Sequence, residues 1–462
     1  GAVEHAKLGA DCIDGDNIQD DVINSEHYAA ASIDHEHLAD DIVDADILAD
    51  NSVGLAAMAH GTDGNLITYN ASGEPAHVDT GDDGQVLTSA GAGQPPAFET
   101  ISTTDTLSFR NLIINGAMQV AQRGTSSTST GYQTVDRFKL ETNGVDEAIT
   151  QADHALTSSD TGPWAKGFRS SYHLTNGNQS GGAGATDMAN INYKIEAQDI
   201  VNSGWDYTSA SGKITLSFWA ISSVAQTFQI TLFAEDATYG YTTEFALSAN
   251  TWTKVTKTIP GHASLAITNN NGEGLNIIWY QFIGTDYTDS GATTDAWGTW
   301  NGGTTRKDMT STWWTTDDAT FELTGVQLEV GDTATEFEHR SYQDELARCQ
   351  RYCYRIHADN AVNNDPVFGI GFVRSNDAVR LIQPWPQEMR TAPSLSVNDV
   401  TYFKPFDGDD DEIPNVINLD NGSSFSGILS FESTGTSMNV GRACQIQGAN
   451  TKLGVMLITA EL

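Results

Sequence analysis

Along the first sixty residues the apolar positions fall at a strict interval of five. Val3, Leu8, Ile13, Ile18, Ile23, Tyr28, Ile33, Leu38, Val43, Leu48, Val53 and Met58 are twelve successive hits, separated mostly by Asp, Ala, Asn and Gly. That spacing matches neither an α-helix nor a strand, and it misses the average period of a coiled coil. A single-chain pentapeptide solenoid wants a small side chain two positions before each apolar one. Those positions hold Asp11, Asp16, Asp21, Glu26, Glu36, Asp41 and Asp46, and carboxylates do not fill a dry interior. One apolar residue in five is too little to offset a backbone-ordering cost of roughly 1–2 kcal/mol per residue. Residues 1–60 are therefore expected to form a shaft or attachment segment in which several chains run side by side and cover each other's apolar rows. A disordered acidic leader is the alternative.

Residues 61–107 read as a glycine-rich connector. Gly61-Thr62-Asp63-Gly64-Asn65 and Gly81-Asp82-Asp83-Gly84-Gln85 are turn formers, and short strands are predicted at 66–69 and 85–88. From residue 108 the texture changes to short apolar runs bounded by Asn and Gly, among them Leu112-Ile113-Ile114 and Phe138-Lys139-Leu140. Alternation is clear at Ile214, Leu216 and Phe218 and again at Phe228, Ile230 and Leu232. Half-buried strands with polar turns predict a jelly-roll β-sandwich over 108–340. A short helix is predicted over 342–350, followed by a smaller distal β module that completes 341–462.

Charge narrows the choice of partner. The 462 residues carry 61 acidic and 23 basic side chains, a formal net charge of −38, and twenty of the carboxylates lie in residues 1–100 against Lys7 alone. Such a field repels phosphate backbones and anionic lipid, which excludes nucleic acid as the expected partner. No apolar run is long enough for a membrane span, and no signal peptide is read at the start. Cys12, Cys349, Cys353 and Cys444 make no disulfide scaffold, so free thiols and assembly in a reducing compartment are expected.

Several segments resemble the tail-fibre and receptor-binding fibre proteins of tailed bacteriophages. The pentads resemble repeats found near the N-terminal regions of such fibres, and the stretch Gly84–Pro96 resembles a connector in them. Residues Asn111–Gly124, followed by Thr134-Val135-Asp136-Arg137-Phe138, look like the opening of their carbohydrate-binding-like jelly roll. Val326–Gly331, Ala334–Glu338 and the Glu345–Tyr352 junction look like its close. The resemblance implies an all-β, elongated trimeric fibre with a pentad-repeat segment, a jelly roll and a second smaller β module. It implies a homotrimer in the virion, assembled in the host cytoplasm, that meets other tail or baseplate proteins at its N-terminal end. The expected function is adsorption to a host cell-surface glycan, without enzymatic activity. A purely structural collar, head fibre or baseplate connector is one rival, and a glycan-depolymerising tailspike is another.

Hydrolase-elbow, P-loop, dinucleotide and zinc-protease motifs are absent. Acidic residues are so numerous that a glycosidase-type carboxylate pair, about 5–9 Å apart, cannot be located from sequence. Trp297, Trp300, Trp313 and Trp314 lie in a Gly/Thr-rich stretch without strand periodicity. Flat indoles can cover the apolar face of a sugar ring, although the simpler reading is that this loop folds over the sandwich and the tryptophans are its core. His35-Glu36-His37 offers alternate imidazoles on an extended chain, and in a trimer six nitrogens can surround one axial metal ion. Asp407–Glu412 concentrates carboxylates in a turn where calcium is conceivable, but the spacing of a calcium loop is missing and an exposed acidic turn is expected. No cofactor is required by any of these readings.

Overall fold

The computed structural model describes residues 62–73, 75–100, 110–303, 305–357, 367–449 and 454–462, with a few positions between 16 and 32. Most of the pentad repeat lies outside the described residues, as do His35 and His37. The chain divides into two compact units, residues 1–102 and 103–462.

In the first unit, β1 (Leu66–Tyr69) pairs antiparallel with β2 (Pro75–Val78), and β3 (Gln85–Thr88) with β4 (Ala97–Thr100). An Asp-Gly turn precedes β1 and β3, with Gly64 and Gly84 at φ of 86° and 85°, a conformation that disfavours side chains. Two-stranded ribbons bury little. Leu66, Ile67, Tyr69, Val86 and Leu87 are exposed, and so are the repeat rungs Ile18, Ile23 and Tyr28.

The second unit opens with a twelve-stranded sandwich. Its strands are β5 (Ser126–Ser127), β6 (Phe138–Asn143), β7 (Thr150–Ala155), β8 (Ser170–Thr175), β9 (Met188–Glu196) and β10 (Lys213–Ser222). They continue with β11 (Gln226–Ala234), β12 (Tyr239–Leu247), β13 (Thr253–Pro260), β14 (Glu273–Ile283), β15 (Trp297–Thr299) and β16 (Thr320–Val330). One sheet has the order β13-β10-β16-β8-β7-β5 and the other β15-β12-β11-β14-β9-β6. All pairings within them are antiparallel, which with the crossed strand order is the expected jelly-roll sandwich.

Period-two alternation sends Ile214, Leu216 and Phe218 of β10 and Phe228, Ile230 and Leu232 of β11 into one core, where Trp279 is fully buried. Strand β16 keeps its inward face past an irregularity. Its register against β10 shifts between Ser217 and Trp219, and Gly325 adopts φ 62° there. A Cβ at 325 would sit 2.7 Å from the Phe168 ring, so backbone conformation and packing both call for glycine. The run 112–114 is not a strand. Leu112 N–H donates to Leu328 O (2.9 Å), Ile113 N–H to Asn111 Oδ1 (2.9 Å), and Asn115 turns the chain at φ 61°.

Short helices α1 (Ala197–Val201) and α2 (Thr312–Thr315) lie within the sandwich, and α3 (Tyr342–Gln350) follows it over the predicted span. Ser341 Oγ caps α3 by accepting from the Asp344 N–H. The distal module comprises β17 (Cys353–His357), β18 (Val367–Ser375), β19 (Ala378–Pro384), β20 (Ser394–Val397), β21 (Phe403–Phe406), β22 (Val416–Asp420), β23 (Ser426–Glu432), β24 (Ala443–Gly448) and β25 (Val455–Thr459). A three-stranded sheet, β17-β25-β20, and a six-stranded one, β21-β24-β18-β19-β23-β22, enclose a second core around Leu381, Phe403, Phe431 and Ile446.

A charged junction joins the sandwich to this module. Glu196 accepts from Arg351 (2.7 and 2.8 Å) and from the Tyr352 hydroxyl (2.5 Å). Arg123 and Arg137 both pair with Glu461, and Arg137 lies 3.4 Å from the Tyr352 ring centroid. Cys349 and Cys353 are buried beside it as free thiols, and burial raises both well above the ordinary thiol range.

Candidate functional site

The segment between β14 and β16 crosses the outer face of the second sheet, because that face is itself apolar. Ile278, Tyr280 and Ile283 are buried beneath it, with Met188, Tyr287 and Met309 packed against them. Arg306, only 4% exposed, ties the crossing down. It donates to Tyr280 Oη (2.9 Å), Tyr287 O (3.1 Å) and Gly302 O. Burial pushes the Tyr280 phenol up, against the opposing pull of Arg306, so it stays a neutral partner.

Trp300 emerges at the edge of this crossing. Its ring lies 4.9 Å from Phe233 at 41°, and the Arg306 guanidinium lies 4.5 Å from its centroid. Gly240 makes the bed for the indole, since a Cβ there would fall 2.6 Å from a ring carbon. Trp300 and Phe233 are half-buried and Asn301 is exposed. The arrangement is a partly open aromatic pair on a rigid sheet, with an amide beside it, and it can take the apolar side of a sugar ring.

The other three tryptophans do not join it. Trp313 and Trp314 are both 0% exposed on α2, with Trp314 Nε1 donating to Gly182 O (2.8 Å) and its ring against Phe282 (5.2 Å). Asn176 donates to the carbonyls of both residues, 3.1 and 2.8 Å. These two indoles offer no free ring face, so the four tryptophans do not form one surface. Trp297 is half-buried at the sandwich margin against Tyr241 (5.6 Å), its Nε1 donating to Pro260 O (2.6 Å). Sequence reading missed Phe233 and Gly240. Phe233 had a signal, being the aromatic on the outward side of a strand whose alternate positions are core.

Two grooves compete with the aromatic pair. The larger, about 650 Å³, lies along α3 and is lined by Glu338, Arg340, Arg348, Arg351 and Glu388. Arg351 is already held by Glu196, and Arg340 by Glu338, Glu345 and the Ile113 carbonyl, so much of its charge is committed. The second, about 450 Å³, lies beside β6 on the same sheet as Trp300 and is lined by Thr130, Lys139, Glu141, Asn143, Met188 and Tyr287. Its volume suits a small ligand. In the acidic turn, Asp407 accepts from the N–H groups of Asp409 (3.1 Å), Asp410 (3.0 Å) and Asn439 (2.8 Å). Those hydrogen bonds hold its carboxyl well below the usual range.

No family model matches the chain. No curated relative matches it either. Solved structures resemble it in part. The enzymatically active domain of bacteriophage CBA120 tailspike protein 4 is 11% identical over 48% of this chain and 21% of that one, with a TM-score of 0.25. A sugar-binding protein described as putative, from Bacteroides thetaiotaomicron, is 12% identical over 48% of this chain and all of that one, also at 0.25. TmCBM61 in complex with β-1,4-galactotriose is 6% identical over 48% of this chain and 99% of its own, at 0.24. This chain thus spans about a fifth of the tailspike chain. At TM-scores this low, nothing about activity passes from these proteins to this one.

They do correct one expectation. The missing motifs and the fibre resemblance implied a protein that is not an enzyme, yet the similar structures include an enzymatically active domain as well as binding modules. Carboxylate-based catalysis needs no short motif in any case, since the carboxylates assemble only in the fold.

Proposed function

We propose that this protein binds a cell-surface glycan through the outer face of its second sandwich sheet and serves as an attachment fibre of a tailed-phage virion. The observation that carries the reading is the half-open Trp300–Phe233 pair, fixed by Gly240 and Arg306 on a rigid sheet. The groove beside Tyr287, on the same sheet, supports it by offering lysine, glutamate and asparagine side chains for hydroxyl groups. Homotrimer formation is part of the proposal. Exposed Ile18, Ile23 and Tyr28, and the exposed apolar residues of β1 and β3, support it, because neighbouring copies would cover them.

A glycan-array or cell-adsorption assay on W300A tests the binding. A tenfold or greater loss is expected with the fold intact, from an aromatic contact of about 1.4 kcal/mol or more. Unchanged binding by folded W300A rejects the role. Light scattering tests the assembly, and a monodisperse species of 49.6 kDa, one chain, rejects the trimer. The burial of Trp313 and Trp314 favours a second reading, a virion component that touches no receptor. Under that reading no glycan on the array is retained at all.

A further inference from the structure

The opposite sheet of the sandwich carries a different chemistry. His154 on β7, His173 on β8 and Glu322 on β16 come from three neighbouring antiparallel strands. Glu322 pairs directly with His173, and His154 pairs with Ser171 one pleat further along. Their sequence neighbours Tyr172, Leu174, Phe321 and Leu323 are fully buried in the core, so the pleat turns His173 and Glu322 to the outer face.

The spacing is that of a ligand set. His154 Nδ1 lies 3.0 Å from Glu322 Oε2, His173 Nδ1 lies 3.0 Å from Glu322 Oε1, and all the ligating atoms fall within 4.8 Å of one another. Ligands on a tetrahedral zinc ion with bonds of about 2.0–2.1 Å stand roughly 3.3 Å apart. Closing the triangle falls to the His154 side chain, which is 48% exposed and has room to turn. The other two are already braced from outside. Ser171 Oγ donates to Glu322 Oε2 (2.6 Å), and Thr175 Oγ1 lies 3.0 Å from His173 Nε2.

One feature argues for a cation between these groups. His173 Nδ1 is buried and makes no well-aligned hydrogen bond, although Glu322 Oε1 is 3.0 Å away, within ion-pair reach. Thr175 Oγ1 can accept from Nε2–H, and in that tautomer Nδ1 turns a lone pair toward the carboxylate, as a ligand nitrogen would. A metal ion accepts from both.

We propose that His154, His173 and Glu322 bind one divalent transition-metal ion, with zinc the best fit, and leave a fourth position open to solvent. Two imidazoles and one carboxylate suit zinc and not calcium, which takes six to eight oxygens. The chain's net charge of −38 favours any cation site.

Zinc titration of the chelator-stripped full chain, followed by calorimetry and by the visible bands of cobalt substituted for zinc, is the test. One ion per chain is expected. H173A and E322Q should each weaken zinc binding at least tenfold, and S171A about tenfold through the carboxylate it holds. H154A, at a half-exposed position, should lose affinity and stay folded even where H173A does not. Substoichiometric zinc overturns the site and leaves an ordinary ion-pair cluster. Zinc affinity unchanged in folded H154A, or lost only in H35A/H37A, overturns it equally by placing the metal elsewhere.

Discussion

Two groups of charged side chains, both in the second unit, are treated in opposite ways. At the junction, Glu196 and Arg137 are 0% and 1% exposed, and each is paired with an opposite charge, Glu196 with Arg351 and Arg137 with Glu461, although Arg137 Nε makes no hydrogen bond. On the outer face of the first sheet, His154 is 48% exposed and His173 Nδ1 is left without a well-aligned hydrogen bond. The difference teaches which charges hold the fold and which are available. A buried charge must be paired with an opposite one, since desolvation costs several kcal/mol per ion, whereas a charge at the water boundary can remain without such a partner.

Breaking the junction should therefore cost most. R137M removes the cation between Glu461 and the Tyr352 ring and leaves Glu461 with Arg123 alone. A loss of about 3–5 kcal/mol in urea unfolding is expected, and a loss below about 1 kcal/mol would erase the contrast.

The pH dependence sharpens it, because the two regions should pull in opposite directions. Burial raises the Asp136 carboxyl from 3.8 to about 6, despite Arg123 and Gln122. The folded state then holds a proton that the unfolded state releases, so this contribution is present below 3.8 and is lost as pH rises through about 6. Burial also works to raise Glu322, but His173, Ser171 and His154 outweigh it and lower the carboxyl from 4.5 to about 2. That contribution is present above 4.5 and is lost as pH falls toward about 2. Urea midpoints in metal-free buffer should show the first slope vanish in D136N and the second in E322Q. The smallest effect is expected at the surface pair Lys139–Glu141, 2.6 Å apart with side chains 26% and 39% exposed. K139A should change stability by about 0.2–1 kcal/mol, measured the same way.

Much of the sandwich was legible before any coordinates, because Ile214, Leu216, Phe218, Phe228, Ile230 and Leu232 obey the strand period that half-buried sheets impose. The helix over 342–350 was legible from its composition and forms as read. Leu112-Ile113-Ile114 misled, since three apolar residues in a row fit a buried turn as well as a strand. The tryptophans were legible in part, since the simpler reading of them as core holds for Trp313 and Trp314. Their loop lacks periodicity, and a loop laid over an apolar sheet face hides some indoles and presents another. The motifs behind the fibre resemblance also changed meaning, for Asn115, Asp136, Arg137, Glu345 and Tyr352 are all buried in or near the junction. They mark how sandwich and distal module are joined.

The sequence by itself determined the β class, through alternation and turn residues, and it fixed the five-residue interval of the pentad ladder. Both are properties of local spacing and composition, which need no knowledge of distant contacts. Tertiary structure alone decided which tryptophan faces outward and that His154, His173 and Glu322 share one patch of sheet across 168 positions of chain. Antiparallel pairing brings remote residues to one face, and the register that does so is set by the whole core together.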